Sequence, residues 1–140
     1  MYEDSLNSQE QSITNQLVLK FNKMLKSGNY IYFDSNEIEK IIDYYVEKKD
    51  EKKIQYAFNL YEKLYPFSQQ LKIKKAQCLL FFDKASDAHK ILEEVQSTNN
   101  EEYLFTLASV YSKLNKHKES IRIFEKLLNL NNDSEEILTI

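Results

Sequence analysis

The sequence predicts an all-α fold, a solenoid of paired helices, and three observations predict it. Among the 140 residues there is one Gly and one Pro, so the residues that interrupt helices are almost absent. Apolar residues recur at spacings of three and four, as in Leu17, Phe21, Met24 and Leu25. The chain also writes one pattern more than once. The order of small and bulky residues in "AQCLLFFDKASDAHKILEEV", from Ala76, returns in "ASVYSKLNKHKESIRIFEKL", from Ala108.

Taken in order, residues 1–11 are polar and acidic and read as a flexible tail. Residues 12–34 hold an amino-terminal capping helix that starts near Ile13 and an aromatic linker, with the helix ending at "KSGNY", where Gly28 can adopt the left-handed conformation. In "YIYFDSNEI", Asp34 and Glu37 stand three apart, as a capping box requires, and open a helix that runs to about Lys48. Beyond it the repeat is read by counting. Ala76 and Ala108, Leu79 and Tyr111, Ala88 and Ser120, Leu92 and Phe124, and Val95 and Leu127 are each 32 apart. A step of 34 backwards pairs Ile42 with Ala76, Tyr45 with Leu79, Ile54 with Ala88, Phe58 with Leu92 and Tyr61 with Val95. Three units follow, 35–68, 69–100 and 101–134, and a period of this size marks helical hairpins that bury their apolar faces only by stacking.

Two helices that cross closely want a small residue on each at the crossing. Ala76 with Ala88, and Ala108 with Ser120, supply it. In the first unit those positions hold Ile42 and Ile54, so its helices are expected to cross more widely. The turns between paired helices fall at Lys49, Asp83 and Asn115; Asp and Asn tolerate a left-handed backbone and Lys does so poorly. At the carboxyl end, Asn132, Asp133 and Ser134 offer caps for a further helix over 135–140. A start of a helix that short leaves Ile121, Phe124 and Leu128 partly open to water, which predicts either a longer repeat protein or self-association through that end.

Composition narrows function. A net charge of −3 gives no concentrated basic face for DNA or for an anionic membrane. No apolar run approaches membrane-spanning length, the polar start lacks a secretory signal, and a single cysteine, Cys78, fits a cytoplasmic location. Cys78 has no neighbouring His motif, and His89 and His117 lie in no metal-like spacing, so packing or surface roles are expected for all three. With one Gly there is no phosphate-cradling loop. No enzyme, cofactor or metal is expected.

The units resemble tetratricopeptide repeats. "TLASVYSKLNKHKESIRIFEKLL", with Leu107, Ala108, Tyr111, Ser120 and Phe124, carries the resemblance best, and Pro66 stands where that family ends a unit. Taken with "DYYVEKKD", the stretch "YPFSQQLKIKKAQCLL" is similar to the opening units of multi-repeat bacterial members. The resemblance implies a right-handed superhelix of three degenerate hairpins whose first helices line a concave groove. Carried over residue by residue, that groove is lined by Asn36, Glu39, Lys40 and Asp43, then by Gln70, Ile73, Lys74, Gln77, Leu80 and Phe81. The third unit adds Glu102, Phe105, Thr106, Ser109, Ser112 and Lys113.

Relatives that clamp a carboxylate tail use Lys and Asn at such positions. Glu39, Asp43 and Glu102 would set carboxylate against carboxylate, which disfavours that ligand. The apolar trio Ile73, Leu80 and Phe105, with Phe81 beside it, is the expected contact for a protein or peptide partner. Two other readings compete: a helical-repeat protein that binds single-stranded RNA through Lys-bearing stretches such as "LKIKKAQ", and the non-catalytic amino-terminal portion of a larger enzyme or regulator.

Overall fold

Four of the described helices begin where a side-chain oxygen, of Asp34, Asp50, Ser68 or Asn100, accepts from an otherwise unbonded amide. The computed structural model describes the backbone of residues 2–96 and 99–139, and the side-chain environments of 7–96 and 99–130. Its elements are α1 (Tyr2–Ser27), α2 (Ser35–Glu47), α3 (Glu51–Leu64), α4 (Gln69–Phe81), α5 (Ala85–Glu93), α6 (Glu101–Lys113) and α7 (His117–Thr139). Among the described residues every regular element is helical. The predicted capping box opens α2: the Asp34 carboxylate accepts from the Glu37 amide at 2.8 Å, and the Glu37 carboxylate accepts from the Asp34 amide at 3.0 Å. Ser68 caps α4 through the Leu71 amide, and Asn100 caps α6 through the Tyr103 amide, each at 3.1 Å. Asp34, Ser68 and Asn100 follow the same 34 and 32 residue steps as the apolar repeat.

The turns repeat in the same way. Lys49, Asp83 and Asn115 have φ of 56°, 59° and 62°, the left-handed backbone expected at those positions. Each is followed by a residue whose amide reaches back to the helix just ended: Asp50 to the Tyr45 carbonyl, Lys84 to Leu79 and Lys116 to Tyr111, at 3.0, 2.8 and 2.8 Å. The left-handed residues bond Val46, Leu80 and Ser112. This pair of bonds satisfies carbonyls that a helix end leaves open. The residue that closes one helix then starts the next, since Ile54, Ala88 and Ser120 donate to the carbonyls of Asp50, Lys84 and Lys116. A left-handed conformation costs a side-chain-bearing residue roughly 1–2 kcal/mol, least for Asn and Asp. Lys49→Gly is therefore expected to raise stability by about 0.5–1 kcal/mol and Asn115→Gly by less, as urea denaturation would read.

The chain divides into two compact units, one up to Phe67 and one from Ser68. In the first unit α1 packs on α2, and α2 on α3. Leu17, Val18, Phe21 and Met24 form the buried stripe of α1, and the Phe21 ring lies 6.1 Å from that of Tyr45. Asn22 ties the unit together: its side-chain oxygen accepts from the Tyr45 hydroxyl at 3.2 Å and from Lys53 Nζ at 2.7 Å. Burial raises the Tyr45 phenol above its ordinary value, against the lowering effect of the Asn22 bond. The aromatic linker is anchored by buried Phe33, whose carbonyl lies 3.0 Å from the Tyr65 hydroxyl. The hydrogen bond between the Tyr65 and Tyr32 hydroxyls, at 3.1 Å, is the main reason that the Tyr65 phenol is pushed up to about 12. Ile42 and Ile54 are both buried, on α2 and α3.

In the second unit α6 lies against both α4 and α5, and α7 against α6. Its core gathers Ile73, Ala76, Ala88, Leu92, Val95, Tyr103, Leu104 and Val110. Ala76, Ala88 and Ala108 are wholly buried, as residues at close crossings must be. At the second crossing the small partner is Ser120, and its hydroxyl donates to the Ala108 carbonyl at 2.9 Å. That bond satisfies a buried hydroxyl and joins α7 to α6.

Two expectations are corrected. Residues 2–11, read as part of a tail, continue α1, because nothing in "YEDSLNSQEQ" breaks a helix even though no apolar stripe calls for one. At the other end no new helix opens at residue 135. Helix α7 runs unbroken through Asn132, Asp133 and Ser134 to Thr139, since good caps do not end a helix that lacks Gly or Pro. Residue 140 lies outside the described residues.

Candidate functional site

In the second unit, α4 and α6 are joined along one face by polar side chains. Gln70 and Gln77 stand seven apart on α4, two helical turns, so both amides can reach one carboxylate. That carboxylate belongs to Glu102, in the first turn of α6, where the helix dipole favours negative charge. Gln70 Nε2 donates to one Glu102 oxygen at 3.0 Å and Gln77 Nε2 to the other at 2.9 Å. Gln77 Nε2 also lies 3.2 Å from Thr106 Oγ1. Thr106 is buried and donates to the Glu102 carbonyl at 2.8 Å, and Ser109 donates to the Phe105 carbonyl at 2.9 Å. Half-buried Lys74 lies on the same face of α4, between the two glutamines in sequence. At the far end Lys113 Nζ is 3.9 Å from Asp83, an exposed pair that contributes little energy. Exposed Phe81, its ring edge-on to Phe82 at 5.2 Å, completes the surface.

The expected apolar trio is not assembled there. Ile73 is 1% exposed and belongs to the core with Tyr103 and Leu104, so it is a packing residue and not an accessible contact. Leu80 packs partly against the same core. Phe105 is 59% exposed, but its ring meets Phe124 of α7 at 6.0 Å and so belongs with the α7 face. Ile73 and Phe105 are equivalent one period apart, and the difference between them is α6, which lies over the first. Ser112 is exposed at the end of α6. What α4 and α6 share is therefore a polar surface with Phe81 at its edge.

In the first unit Lys40 and Asp43 do face open space. They line a cleft of about 740 Å³ between α1 and α2, with Tyr44 and Glu47 beside them and Glu10, Thr14 and Asn15 opposite. Glu39 is half-buried and is not among the lining residues. The α1 wall could not be read from the sequence, because its residues are polar and part of them fell in the presumed tail. His89 Nδ1 lies 3.0 Å from Glu93, and the imidazole rests 5.4 Å from the Tyr111 ring. Cys78 is buried on α4. No helix among the described residues is long and apolar enough to cross a membrane.

Residues 101–134, which are α6, its turn and most of α7, match the tetratricopeptide repeat family. No curated protein and no solved structure is significantly similar to this chain.

Proposed function

With a tetratricopeptide repeat at residues 101–134 as the premise, we propose that the chain is a non-enzymatic scaffold that holds a segment of another protein along the α4/α6 surface of the second unit. Repeats of this family generally mediate protein–protein interaction, and the row formed by Gln70, Gln77 and Glu102 supports that surface here. Those side chains already bond one another, which orders the row in part before a ligand arrives and lowers the freedom lost when one binds. The Gln77 side-chain oxygen and the Ser109 hydroxyl can accept hydrogen bonds from an extended main chain, and Phe81 offers one apolar contact. A cytoplasmic setting suits a chain with one cysteine.

A photo-crosslinking residue placed at Ser109 or Phe81, with an exposed α7 position, Lys126, as control, tests this reading in the native cell. Capture from the first two positions and none from Lys126 is expected. Phe81→Ser should then weaken the recovered complex about tenfold, the usual effect of losing an aromatic anchor. Capture from Lys126 alone would contradict the proposal.

A further inference from the structure

We draw no further inference here: the strongest candidate, the exposed apolar stripe of Ile121, Phe124 and Leu128 on α7 with Phe105 of α6 beside it, is a surface patch of the second unit, and nothing in the structure shows what covers it.

Discussion

Ala108→Leu is expected to destabilise the α6/α7 pair by about 2–4 kcal/mol. Ala108 has no exposed surface, and the Ser120 hydroxyl rests on its carbonyl at 2.9 Å, so the two backbones are as close as the side chains allow. Adding three carbons there forces the helices apart, which costs about 1–3 kcal/mol as overpacking. The separation also breaks the Ser120 bond, about another 0.5–1.5 kcal/mol. Ala108→Gly makes a useful contrast: it leaves the crossing intact and should cost only the helix propensity difference, about 1 kcal/mol. Urea denaturation followed by circular dichroism measures both. Equal midpoints for Ala108→Leu and the parent chain would mean that these helices do not cross at this residue.

Phe21→Ala should cost about 3–5 kcal/mol, the range for emptying a buried aromatic site. Phe21 is wholly buried, its ring packs on Tyr45, and the next residue, Asn22, holds both Tyr45 and Lys53. A cavity at Phe21 would loosen all three helices of the first unit. Leu19→Ala, on the solvent side of α1, should stay within about 0.5 kcal/mol. A small effect of Phe21→Ala in denaturation would mean that α1 is an appendage and not part of that unit.

The helical pairs were legible in the sequence because their geometry is written in small local features. Ala88, Ala108 and Ser120 mark crossings by size, and Asp83 and Asn115 mark turns by their tolerance of a positive φ. Lys49 shows the limit of residue preference: only the repeat register pointed to it, and it takes the same backbone because the amides of Lys49 and Asp50 still have the Val46 and Tyr45 carbonyls to satisfy. Helix ends were harder to place. Residues 2–11 and 132–134 contain nothing that forbids a helix, and the apolar stripe that would announce one is missing at the first. The apolar trio was misread because a period cannot say which copy is covered. Ile73 and Phe105 hold one position in two units, and α6 covers only one of them. The polar row was visible as residue types, but its bonding was not, because Gln70, Gln77 and Glu102 lie up to 32 residues apart in the chain.

Amide hydrogen exchange of the 140-residue chain, free and bound to the segment recovered by crosslinking, tests the scaffold reading most directly. Added protection should fall on α4 and α6, over Lys74 to Phe81 and Phe105 to Ser112, and leave α1 and α3 unchanged. Protection confined to α1 and α2, around the cleft lined by Glu10, Lys40 and Asp43, would contradict it and move the binding surface to the first unit.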